Sequence, residues 1–344
     1  MEFFAGANTV NGFKSLFEEC FAGISRLYIL KGSSGCGKST LMRRIAGRAQ
    51  REGIDFDIIR CSADPESLDG VILPSLSVAV ADGTSPHLLD VKYPCVRESI
   101  INLGQFWDEA KIIPHREKII SLTDKKSERY KSAYAALAAY GRVLEMIKLT
   151  VNESILKEKL DEFALSFTDK LSSSGEKNKR LLCSAFTSEG VKTLESFGKI
   201  QTLYRINGIA AQQALNALHR TANERGIHHT AICSPLDISQ PESLYFEQSS
   251  VLVTVAENPP CASFGTEKTT SSARFIDKGI ISDSRARLKT LNRLANELLD
   301  DAKSELALAR ATHYRIEELY IPAMNFELLD EFTAKLINSI FANK

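Results

Sequence analysis

Residues 30–41 read LKGSSGCGKSTL, and the stretch GSSGCGKS at 32–39 satisfies G-x-x-x-x-G-K-[ST] in full. Context decides whether such a string is a motif. The apolar run 27–30 ends in Lys31-Gly32 and reads as a buried strand. From about Lys38 a helix follows, with Leu41, Ile45 and Ala49 on one face, and it stops at Gly53, where glycine takes the left-handed C′ conformation. Strand, glycine turn and amphipathic helix together build a loop whose successive backbone N–H groups point at an anion, with the positive end of the helix dipole behind them.

That loop predicts phosphate chemistry. Gly32, Ser33, Ser34, Gly35, Cys36, Gly37, Lys38, Ser39 and Thr40 are the expected nucleotide cradle. Lys38 supplies a charge to the outer phosphates, Ser39 a hydroxyl to Mg²⁺, and Thr40 support for a neighbouring phosphate. Cys36 reads as a small tolerated residue, although a thiol beside a lysine and a helix start is expected to be acidified. Mg²⁺ also needs an acid, usually at the end of a neighbouring strand. LSVAVAD ends in Asp82, the first choice; Asp64, after IIRCSA, is the second, and Asp69 and Asp108 are weaker. The turn that follows Asp82, GTSPH, carries His87, which reads either as a group approaching the γ-phosphate or an acceptor, or as a surface histidine. Fast ATPases of this type commonly place Glu directly after the Mg²⁺ aspartate; here the residue is Gly83. Hydrolysis is therefore expected to be slow or to use another base, or the phosphoryl group goes to something other than water.

The chain is also written twice. NGFKSL (11–16) matches EGVKTL (189–194), and RLYILKG (26–32) matches TLYRING (202–208). RCSADP (60–65) matches ICSPLD (232–237), PESL recurs at 65–68 and 241–244, and SVAVAD (77–82) matches LVTVAE (252–257). QFWDEAKII (105–113) matches RFIDKGIIS (274–282), and LDEFA (160–164) matches LDEFT (329–333). The expected fold is α/β: two tandem P-loop-like parallel-sheet domains at 1–175 and 180–344, joined by the polar stretch LSSSGEKNKR (171–180). Each half ends in helical texture, with apolar stripes through Tyr130, Tyr134, Leu137 and Leu144 and through Leu288, Leu291, Leu298 and Ala302. These predict a helical hairpin at about 114–171 and another at about 284–341, the best places for a lid or a protein partner.

The second copy lacks the chemistry. In RINGIAAQQAL (205–215), Gly208 stands where Gly32 does, but no lysine or hydroxyl follows, and Asp82 aligns with Glu257. One nucleotide per chain is expected, at the first half. Nucleotide could still meet the second half as a sandwich, with Arg225 or Arg274 reaching across to the γ-phosphate.

GSSGCGKSTLMRRIAG resembles the Walker A segment of ABC-transporter ATPases, but LSSSG (171–175), similar to their signature, is not followed by an apolar strand ending in Asp-Glu. FAGANTVNGFKSLF, the P-loop, CSADPESLDGVILP, VADGTSPH, INLGQFWDE and YIPAMNFE resemble a bacterial family of tandem P-loop ATPase-like, ATP-binding proteins. The resemblance implies duplicated nucleotide-binding domains with no settled substrate, in which the second half can carry its own P-loop; this chain departs there.

Composition fits a globular protein: 44% hydrophobic, 25% charged, with 43 basic and 43 acidic residues. The zero net charge gives no general nucleic-acid or membrane signal. No apolar run approaches a membrane span. Seven scattered cysteines without a CxxC pair, and an opening without a charged-then-apolar leader, predict a reduced cytoplasmic setting. Two functions from different classes follow: an enzyme that hydrolyses Mg-ATP slowly or transfers its phosphoryl group, the kinase variant included, or a nucleotide-dependent switch with negligible turnover. ATP over GTP is the prior expectation, since P-loops read phosphates, and the absence of an [NT]KxD motif after the later strands adds to it.

Overall fold

In the computed structural model, which describes residues 1–86, 89–172 and 178–342, the two halves build the same sheet twice. The first half runs β1 (Glu2–Phe4), β2 (Gly6–Thr9), β3 (Gly12–Ser15), α1 (Phe17–Cys20), β4 (Arg26–Lys31), α2 (Lys38–Arg51), β5 (Asp57–Arg60), β6 (Leu68–Leu73), β7 (Val78–Asp82), β8 (Glu98–Asn102), α3 (Glu109–Ile112), α4 (Arg116–Asn152) and α5 (Lys157–Thr168). The second runs β9 (Lys179–Leu181), β10 (Ser184–Thr187), β11 (Gly190–Thr193), β12 (Phe197–Asn207), α6 (Ala211–Glu224), β13 (Thr230–Cys233), β14 (Pro241–Phe246), β15 (Val251–Thr254), β16 (Cys261–Ser271), α7 (Lys278–Asp283), α8 (Arg285–Tyr320) and α9 (Phe326–Phe341). Sheet orders β1-β5-β6-β7-β4-β8 and β9-β13-β14-β15-β12-β16 correspond strand for strand.

Both sheets are mixed, which corrects the expectation of parallel ones. β6 lies antiparallel between β5 and β7, and β14 antiparallel between β13 and β15. Parallel ladders flank β4, with β7 on one side and β8 on the other, and β1 pairs parallel with β5 at the far edge. β6 follows β5 after a short turn, so it returns beside β5 with its direction reversed. All six of its residues are buried, Asp69 and Gly70 included, although an Asp-Gly pair is a turn signal in the sequence.

The ladders also fix the true equivalences. Ala81 lies opposite Gly70 as Thr254 lies opposite Ser243, so Asp82 corresponds to Val255 and not to Glu257. By the same ladders Leu68 corresponds to Pro241, and the two PESL strings are three residues out of register. NGFKSL and EGVKTL do correspond: each forms the second strand of a β-hairpin, β2-β3 and β10-β11.

The helices depart from two self-contained hairpins. α4 and α8 pack along one another, burying Ala133, Leu137, Tyr140 and Val143 against Leu291, Ala295, Ala302 and Leu306. The pair is antiparallel, since Val151 meets Leu288 at one end while Arg129 reaches Glu305 at 3.0 Å at the other. Each long helix therefore starts on its own sheet and ends on the other. As a result α9 closes the first half's core, where Leu329, Leu336, Ile337 and Phe341 join Leu41, Ile45 and Ala49. α5 closes the second, where Leu160 and Ala164 join Ala214, Leu215 and Leu218 of α6. The amphipathic stripes were legible in the sequence; the element that covers each was not, because an apolar face specifies burial and not a partner. The two junctions repeat each other: Asp108 N–H donates to Ala323 O and Asp277 N–H to Ser154 O. No helix among the described residues is long and apolar enough to cross a membrane. Residues 173–177 of the 171–180 linker, and with them most of LSSSG, lie outside the described residues.

Candidate functional site

The loop between β4 and α2 is shaped by two glycines in the left-handed region, Gly35 at φ 73° and Gly37 at φ 83°, where a side chain is strained. A Cβ on Gly32 would meet Cys36 Sγ at 2.5 Å, so the loop closes tightly on its own thiol. Lys38, the first residue of α2, turns back into the loop. Its Nζ donates to Gly32 O at 2.9 Å and Ser33 O at 3.0 Å and lies 3.7 Å from Asp82 Oδ2. Ser39 accepts the Leu68 N–H at 3.1 Å, which ties the loop to β6, and Thr40 is exposed.

Asp82 ends β7 beside the loop and is buried. Its Oδ1 accepts the Thr84 N–H at 2.8 Å and the Thr84 hydroxyl at 2.6 Å. Burial pushes its carboxyl above the usual range; the Lys38 ammonium and the Thr84 hydrogen bonds pull against that. Asp64 is committed elsewhere: Arg310 donates to its Oδ1 at 2.9 Å and Ser67 to its Oδ2 at 3.0 Å. Asp69 is buried on β6 close enough to raise Asp82 further. Asp108 is remote in role, capping α3 through the Ala110 N–H. His87 lies outside the described residues.

Cys36 differs from the expectation of an acidified thiol. It is buried, and burial pushes the thiol up; the neighbouring Lys38 only partly opposes this.

Sequence reasoning missed the groups that reach the loop from the second half. The last turns of α8 lie over it: Ser34 Oγ is 3.2 Å from His313 Nδ1, and Gly35 N–H donates to Glu317 Oε1 at 3.1 Å. A Cβ on Gly35 would meet the Ile321 side chain at 2.7 Å, and one on Gly37 would meet Leu329 at 2.7 Å. Lys126 of α4 is near enough to feel Glu317 and Lys38, and burial holds its ammonium below the usual lysine range. The only sequence signal was a run of polar groups, Arg310, His313 and Glu317, spaced to share one face of α8.

The corresponding turn of the second half is short. Five residues separate Gly32 from the helix start at Lys38; two separate Gly208 from Ala211. Lys38 thus corresponds to Ala211 and Ser39 to Gln212. The Ala210 N–H donates to Ser272 Oγ at 3.1 Å, and a Cβ on Gly208 would meet the same hydroxyl at 2.6 Å, so the turn is filled by protein. Arg225 and Arg274 do not approach the first loop. Arg225 donates to Thr168 Oγ1 at 2.9 Å and pairs with Asp169, and Arg274 stacks on Phe163 and Phe275. Both are held where α5 joins the second half.

The chain matches no known protein family, no curated protein and no solved structure.

Proposed function

We propose that residues 32–40 bind Mg-ATP at one site per chain, and that the protein hydrolyses it slowly or transfers its terminal phosphoryl group. The observation that carries the reading is Lys38: a buried-side ammonium at a helix start, held by two loop carbonyls, 3.7 Å from the buried acid Asp82. The positive φ of Gly35 and Gly37, and the Ser39 hydroxyl at the first turn of α2, suit the same ligand. Ser39 and Asp82 are the groups that would hold Mg²⁺, whose chemistry is to neutralise charge on the outer phosphates.

Slow turnover has a steric basis. A Cβ on Gly83 would meet Ile29 Cγ2 at 2.3 Å, so the position after Asp82 has no room for the glutamate of fast ATPases. The contacts of Ser34 and Gly35 with α8 favour a second reading, in which the nucleotide acts as a switch on the long helices with negligible turnover. Steady-state phosphate release, with and without a panel of nucleosides and sugars as acceptors, tests the proposal. Release in water alone supports an ATPase, acceptor-dependent consumption a phosphotransferase, and binding without consumption the switch. An absence of nucleotide binding overturns all three.

A further inference from the structure

Glu317 occupies an unusual place for a residue of a packing helix. Its carboxylate accepts the Gly35 N–H at 3.1 Å, from a loop whose backbone is shaped to hold an anion. It lies 3.6 Å from His313 Nε2 on the preceding turn, and His313 in turn meets Ser34. The neighbouring His313 imidazole, foremost, with the Gly35 N–H and the Lys38 charge, holds the carboxyl below the usual glutamate range, so it is ionised at neutral pH. Ile321, four residues on along the same face, packs against Gly35.

The other half supplies an internal control. The bridges Trp107–Met324 and Ile155–Ile276 equate α4 and α8, so Glu317 corresponds to Lys148 and His313 to Leu144. The two helices share their buried positions, Leu122 with Leu291 and Leu137 with Leu306. Packing thus does not demand an acid at this point. The carboxylate meets the intact loop, and an exposed lysine stands at the equivalent position of α4.

We propose that Glu317 is an internal anion seated on the phosphate loop, which competes with the outer phosphates of Mg-ATP and must leave the Gly35 N–H for them to seat. This rests on the nucleotide reading above. One N–H cannot serve a carboxylate and a phosphate oxygen at once, and two anions at contact distance repel. Because Glu317 belongs to a helix that begins on the second half, occupancy of the loop is communicated to that half through α8.

Calorimetric titration of the full chain with Mg-ATP, and with Mg-tripolyphosphate as a base-free probe, tests this in wild type, Glu317→Gln and Glu317→Ala. Glutamine can still accept the Gly35 N–H, and thermal melts check that both variants are folded. Both variants are expected to bind each probe about tenfold more tightly, the scale of removing one charge contact at a partly screened site. Equal or weaker binding in both variants, with wild type binding Mg-ATP, overturns the competitor role and leaves the nucleotide reading standing. Unchanged affinity with reduced turnover also overturns it, by moving Glu317 into the reaction. Absence of binding in wild type and in both folded variants overturns the nucleotide reading itself.

Discussion

The Lys38 ammonium lies 3.7 Å from the Asp82 carboxylate, and both side chains are mostly removed from solvent. Each makes the other's charge tolerable, and both face the loop. Lys38→Ala is therefore expected to weaken Mg-ATP binding by about tenfold or more, the worth of a charge-assisted contact to phosphate. The fold survives, because Asp82 keeps its Thr84 hydrogen bonds and takes up a proton more readily once the cation is gone. Titration calorimetry reads the affinity, and circular dichroism the fold. Wild type should bind one equivalent and Lys38→Ala should leave no residual tight site, since Ser272 fills the second turn. Two equivalents in wild type, one surviving the substitution, would overturn the single-site assignment.

Asp82→Asn separates metal from nucleotide. The amide oxygen can still accept from Thr84, so the local turn is retained, but the negative charge for Mg²⁺ is lost. The expected result is a rightward shift of the Mg²⁺ dependence and reduced turnover, with metal-free nucleotide binding unchanged or slightly tighter. Asp64→Asn should instead loosen Arg310, which also pairs with Glu189, and leave the Mg²⁺ dependence alone. The opposite pattern in a Mg²⁺ titration of the two variants would make Asp64 the metal acid.

How far these features could be read from sequence follows their separation along the chain. The strand, loop and helix around Lys38 were legible because glycines, lysine and apolar spacing act locally. The duplication was legible too, but PESL, its most literal match, is out of register, because ladder pairing and burial choose the equivalences and a four-residue string does not. Strand β6 was missed because Asp69-Gly70 looks like a turn, although α2 covers one face of the strand and Phe17 and Phe21 the other. Glu317 was beyond reach: it meets Gly35 across 282 residues, through a helix whose apolar stripe says only that something covers it.

Glu242 sets a pH dependence in the second half. It is half-buried, accepts a hydrogen bond from the Ser184 hydroxyl, and desolvation pushes its carboxyl from 4.5 up to about 7. The folded state therefore binds the proton more tightly than the unfolded chain. The associated stability is complete below about pH 4.5 and is lost as pH rises through 7. The difference corresponds to roughly 3 kcal/mol at alkaline pH. Glu242→Gln keeps a neutral partner for Ser184, so it should match wild type near pH 4.5 and exceed it by about 2–3 kcal/mol at pH 8. Urea unfolding of both proteins at the two pH values measures this; a difference independent of pH would show that Glu242 does not titrate there.

The exchange of α5 and α9 predicts that neither half folds alone. Leu329, Leu336, Ile337, Ile340 and Phe341 complete the core over α2, yet they belong to the last helix of the chain. At about 1.5–3 kcal/mol for each buried side chain of this size, their removal costs roughly 8–15 kcal/mol, which is the whole stability of an ordinary domain. The second half depends likewise on Leu160 and Ala164 of α5. A fragment of residues 1–172 should then be aggregated or lack fixed tertiary structure, and should not bind Mg-ATP. Co-expressed with residues 178–344, it should copurify as a one-to-one complex with binding restored. A single substitution probes the same contact in the intact chain. Leu329→Ala, whose side chain lies against Gly37, should cost about 2–5 kcal/mol and loosen the first half's loop, although residue 329 belongs to the second half. If fragment 1–172 is monomeric, shows native near-ultraviolet dichroism and binds Mg-ATP as the full chain does, α9 is dispensable to that core and the exchange carries no stability.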